Sequence, residues 1–134
     1  MSELSDVIES EFSELIANLK LRVLVDSTGG WMHERVILEG DGAALSFEKD
    51  NMSEQFYVNW LIKKEDALPN PLMSKRIIST DYLAEVLDWP ERNGNSMKSV
   101  IDWLYEATRL DANSIFSPKV GLVNQALEKQ LKDQ

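Results

Sequence analysis

The segment Phe56-Tyr57-Val58-Asn59-Trp60-Leu61-Ile62-Lys63 decides the fold. Phe56, Val58, Trp60 and Ile62 alternate with Tyr57, Asn59, Leu61 and Lys63, so one set faces a core and the other faces away. No other stretch carries so strong a strand pattern. Upstream, Ala43, Leu45 and Phe47 alternate with Ala44, Ser46 and Glu48. A polar loop, Lys49 to Ser53, separates the two runs. Gly40-Asp41-Gly42 marks the preceding turn, and residues 31–38, Trp31 to Leu38, read as another strand with its buried face undecided. Gly29-Gly30 is the turn before that, where positive φ carries no steric penalty. Leu21, Val23 and Val25 alternate with Arg22, Leu24 and Asp26 and form the first strand. Four strands joined by short loops predict an antiparallel meander, because parallel neighbours need long crossovers. Met73 to Ile78 has the makings of a short fifth strand at the edge, after a connection over 65–78 with Pro69 and Pro71.

The ends of the chain have a helical period. Leu4, Val7, Ile8, Phe12, Leu15, Ile16 and Leu19 share one face, which predicts a single helix over 4–19, capped by Ser2 or Ser5. Downstream, Ser79 or Thr80 caps a helix carrying Leu83, Val86 and Leu87, ended by Pro90. Asn95 or Ser96 caps a second with Met97, Val100, Ile101 and Leu104. Ser117-Pro118 opens a third, with Val120, Val123, Leu127 and Leu131 inward. The fold class is therefore α+β: an N-terminal helix, a four-stranded antiparallel meander and three helices, in a single domain over 1–134. The N-terminal stripe is expected to cover the sheet in cis, and it also allows a homodimer.

Composition removes several functions. The 134 residues hold no cysteine, which excludes disulfides, thiolate metal sites, iron–sulfur clusters and a cysteine nucleophile. The net charge is −9, so nucleic acid and anionic membrane are disfavoured partners. The acidic start Met1 to Asp6 is unlike a secretory signal, and no apolar run approaches the ~20 residues that span a bilayer. A cytoplasmic location is the simplest expectation. The charge is also uneven. Residues 1–19 carry −5 and residues 79–113 carry −4, which together equal the total.

Few residues point to chemistry. His33 is the only histidine, and mid-strand it reads as a half-exposed surface group. Phosphate-loop, dinucleotide and nucleophile-elbow patterns are missing. No metal, cofactor or catalytic residues are assigned. Lys63-Lys64 and Lys75-Arg76 read as edge protection more than as an anion patch. Residues 79–104 loosely echo a helix-turn-helix, with Ala84 and Val100 in suitable places. The turn from Trp89 to Asn95 is longer than the motif's about three or four residues, and the segment is acidic.

Trp103 and Tyr105 cannot both turn inward with Val100, Ile101 and Leu104. At least one must face a groove, a neighbouring element or a partner. With Asp102, Glu106, Glu85 and Asp88 nearby, they describe an aromatic surface ringed by carboxylates, suited to a basic protein surface. The expected function is non-enzymatic partner binding: an adaptor, inhibitor, immunity-type protein or dedicated chaperone. A DNA-associated regulator built on 79–104 is the first alternative, and an enzyme working through carboxylates alone is the second.

Overall fold

The structure is a computed structural model that describes residues 3–26, 32–62 and 77–133. Five strands form one sheet in the order β1-β2-β3-β4-β5, with every neighbouring pair antiparallel. They are β1 (Arg22–Asp26), β2 (His33–Glu39), β3 (Ala43–Asp50), β4 (Gln55–Ile62) and β5 (Ile77–Ser79). Helices α1 (Glu3–Glu11) and α2 (Ser13–Leu19) precede the sheet; α3 (Thr80–Leu87), α4 (Met97–Phe116) and α5 (Val120–Lys132) follow it. The α+β class, the meander and the fifth edge strand are as the sequence predicts. The Gly29-Gly30 turn, Trp31, both basic pairs, Pro69, Pro71 and the Met73–Arg76 part of the expected edge strand lie outside the described residues.

One face of the sheet holds the core. Val36 and Leu38 of β2 align with Phe47 and Leu45 of β3, which align with Val58 and Trp60 of β4. Ile78 of β5 lies beside Trp60. All seven are buried, and they meet Leu4, Ile8, Phe12, Leu83, Val100, Ile101 and Leu104 from the helices. Alternation settles the undecided strand: the Val36 and Leu38 face is the inner one. Trp60 joins the layers, because its indole N–H donates to the carbonyl of Ile115 at 2.7 Å. The Gly42 N–H donates to the Phe116 carbonyl at 2.9 Å. Carbonyls in the last turn of α4, which have no intrahelical donor, thus find donors in the sheet and its β2–β3 turn.

The β5 edge is closed by a side chain. Gln130 of α5 accepts from the Ser79 N–H at 2.9 Å and donates to the Ile77 carbonyl at 3.1 Å. The amide stands in for one residue of a missing neighbouring strand.

Several sequence expectations need correction. The N-terminal helix is two helices, broken at Phe12 (φ −106°, ψ 20°). Phe12 is buried, with its ring 5.6 Å from Phe47 and 6.3 Å from Tyr105. Aromatic packing takes precedence here over a helical period that runs on unbroken in the sequence. Ser5 lies inside α1 and does not cap it, and Ser2 is outside the described residues. The apolar stripe of α1 is used in cis, since Leu4 and Ile8 are buried in the core. Val25 is 51% exposed, because β1 is an edge strand that outruns the helical cover. Helix α3 stops at Leu87, where Asp88 turns left-handed (φ 58°) and its N–H returns to Ala84 and Glu85; Pro90 comes after the end. Ser117 closes α4 by donating to Asn113, and the N-cap of α5 is Lys119. Val120 and Leu131 consequently lie on the exposed side of α5, while Val123, Ala126 and Leu127 are buried.

The β3–β4 turn depends on a charge. Asp50 Oδ1 accepts the N–H groups of Met52 at 2.9 Å and Ser53 at 3.3 Å. These two backbone donors hold its carboxyl below the ordinary aspartate range. A depressed folded-state value stabilises the fold above the unfolded value, and that stabilisation is lost as the pH falls through the folded one. Asp50→Ala is therefore expected to lower the urea midpoint at neutral pH, with the gap to wild type shrinking as the pH falls through the lowered folded-state value of Asp50. A gap independent of pH would remove the charge as its source.

Candidate functional site

Four residues build the most structured surface feature. Trp89 and Pro90 follow α3, Trp103 sits in the second turn of α4, and Asp111 lies about two turns further along that helix. The Trp103 indole N–H donates to the Pro90 carbonyl at 2.7 Å. The Trp89 indole N–H donates to Asp111 Oδ2, also at 2.7 Å. The two rings meet edge to face, with centroids 5.5 Å apart and an interplanar angle of 83°. Both N–H donors are thus spent inside the molecule, and the rings offer a visitor only their faces. The backbone of Asp111 leaves helical geometry (φ −124°, ψ 27°) and α4 is kinked there.

A groove of about 450 Å³ runs past these rings, lined by Trp89, Pro90, Trp103, Ala107 and Leu110 with Glu91, Asp102, Glu106, Asn93 and Ser99. Leu110, at 81% exposure, is the most exposed large apolar side chain among the described residues. Among the described residues, no lysine or arginine lines the groove. Asp102 pairs with Lys98 at 3.2 Å and Glu106 with Arg109 at 3.4 Å, both on the exposed surface of α4. Such pairs contribute about 0–1 kcal/mol and yield readily to a competing cation.

A shallower depression lies on the other side of the tryptophans, lined by Asp81, Glu85, Asp88, Glu91, Arg92 and Lys129 among others. Arg92 belongs to this side. Its guanidinium lies 5.3 Å from the Trp103 ring centre and pairs with Asp81 at 2.7 Å. The protein thus already places one cation over Trp103 with a carboxylate behind it.

The structure brings Trp103, Asp102 and Glu106 together in the groove. It sets Glu85 and Asp88 across the tryptophans in the second depression. Tyr105 belongs to neither. Its half-buried ring packs on Phe12, and the Arg109 guanidinium lies 5.9 Å from its centre. The sequence gives no weight to Trp89 or Leu110. Trp89 carries no periodic signal because it lies in a connection. Leu110 continues a second stripe on α4, since positions 99, 102, 103, 106, 107 and 110 share a face.

Other chemistry is sparse. His33 Nε2 is 3.3 Å from Glu48 Oε1 on the outer sheet face, a half-buried strand pair. Among the described residues, no group of three or more histidine, aspartate or glutamate side chains could hold a metal ion. No described helix is long and apolar enough to cross a membrane. The helix-turn-helix echo has α3 and α4 separated by residues 88–96, a connection longer than that motif's. No known protein family, no curated protein and no solved structure matches this chain.

Proposed function

We propose that the protein binds a partner without catalysing a reaction, holding a basic segment of another protein in the tryptophan groove of α4. The observation that carries this reading is the groove itself: an apolar floor of Trp103, Ala107 and Leu110 between Asp102 and Glu106 on α4 and Glu91 on the facing wall. Buried aromatic anchors supply affinity at interfaces, and rim charge steers the encounter. The net charge of −9 extends the same attraction over the molecule. The same carboxylates oppose a phosphate backbone, which sets this reading above DNA binding by 79–104. An adaptor, an inhibitor and a dedicated chaperone would all use such a groove in the same way.

The test is a paired capture from the native host, with wild type and Leu110→Asp as baits. Leu110 is exposed, so the variant should keep its folding midpoint within about 0.5 kcal/mol. Wild type is expected to retain a stoichiometric basic protein, and Leu110→Asp to lose at least about 10-fold of it, since that is only ~1.4 kcal/mol of contact. Equal retention by both baits would overturn the assignment to this groove.

A further inference from the structure

We infer that the groove is shaped for a basic amphipathic helix of about three turns, lying along α4 from Ser99 to Leu110. This rests on the partner-binding reading and specifies the occupant.

The first argument is spacing. Ser99, Asp102, Trp103, Glu106, Ala107 and Leu110 all line the groove and fall at i, i+3, i+4, i+7, i+8 and i+11 on one helix. They form a straight stripe about 16 Å long at 1.5 Å per residue. Its relief alternates, with small Ser99 and Ala107 next to the larger Trp103 and Leu110. A second helix packs on such a surface by setting its ridges into those low points.

The second argument is hydrogen bonding. An extended peptide on the floor would need partners for its own N–H and C=O groups. Trp103, Ala107 and Leu110 provide none, because the α4 backbone there is internally bonded and the indole donors are spent on Pro90 and Asp111. A helix arrives with its backbone already satisfied.

The third argument is charge. Asp102 and Glu106 stand one turn apart on the stripe, and Glu91 stands on the wall formed by Trp89 and Pro90. A visiting helix with apolar residues at i, i+3 or i+4, and i+7, flanked by lysine or arginine, meets all three carboxylates. Bonds from both indoles fix the wall, so little ordering remains to be done on binding.

Two synthetic peptides of identical leucine, lysine and alanine composition test this. One places leucine at helical spacing and the other at alternating spacing. Binding is measured by calorimetry at low salt to wild type and to Leu110→Asp, with peptide circular dichroism in parallel. The expected result is at least about 10-fold tighter binding of the helical-spaced peptide, a gain of helical signal on binding, and a loss of about 10-fold with Leu110→Asp. Equal binding of the two peptides overturns the helix and leaves the basic-segment reading standing. Binding unaffected by Leu110→Asp overturns the location. No binding by either peptide overturns the helix inference, and the capture experiment then decides the broader reading alone.

Discussion

Trp60→Ala should cost about 3–5 kcal/mol of folding stability and lower the melting temperature by roughly 10–20 °C. Trp60 is fully buried in the C-terminal half of β4, between Leu45 and Ile78 in register. Truncation removes its packing and also the donor to Ile115, leaving that carbonyl unpaired in the interior. Trp60→Phe keeps most of the volume and loses only the N–H, so its expected cost is about 1–3 kcal/mol. Urea unfolding of the two variants separates packing from hydrogen bonding. A Trp60→Ala protein within about 1 kcal/mol of wild type would show that sheet and α4 are held together elsewhere.

The second large effect concerns recognition. Asp102→Lys combined with Glu106→Lys should weaken a basic partner about 100-fold at low salt, or ~2.7 kcal/mol. The change reverses two charges on the groove and sets like charge against the visitor. Most of the loss is expected in the association rate, and it should shrink as salt screens the rim. Stability should move by less than about 1 kcal/mol, because the pairs with Lys98 and Arg109 are exposed. Surface plasmon resonance against the captured partner at two salt concentrations reads both quantities. Unchanged affinity would place the binding surface outside the groove.

Why the sheet is legible in the sequence and part of the site is not follows from range. Alternation in 56–62 is a local signal, and a strand buried on one face must obey it; in 43–48 the alternate positions Ala44 and Ser46 are buried as well, and small or polar side chains rather than exposure mark them as the outer face. Helix α4 is likewise legible through Val100, Ile101 and Leu104. The break at Phe12 is not, because it depends on Phe47 and Tyr105, far away in sequence. In the site, crowding on α4 marks Trp103 as a residue needing another place. Local pattern cannot show that Trp89 supplies that place, since the pairing depends on how residues 88–96 return to the helix. Tyr105 fails for the same reason. Two residues from Trp103 it lies on another face of α4, where Phe12 takes it up. Glu85 and Asp88 are correctly surface carboxylates, yet the tryptophan pair divides them from Asp102 and Glu106.

The sequential strand order also has a consequence during synthesis. Each strand pairs with its immediate predecessor, so β1 to β4 can zip together once residue 62 has emerged. The underside of that sheet must then wait for α4, whose last residue is Phe116. At about 5–20 residues per second the delay is roughly 3–11 s. During it, Trp60, Phe47 and Leu45 are sheltered first by the two N-terminal helices and then also by β5 and α3, but not yet by Val100, Ile101 and Leu104 of α4. Transiently uncovered apolar sheet is the surface through which incomplete chains associate, and α4 is the segment whose arrival ends the exposure.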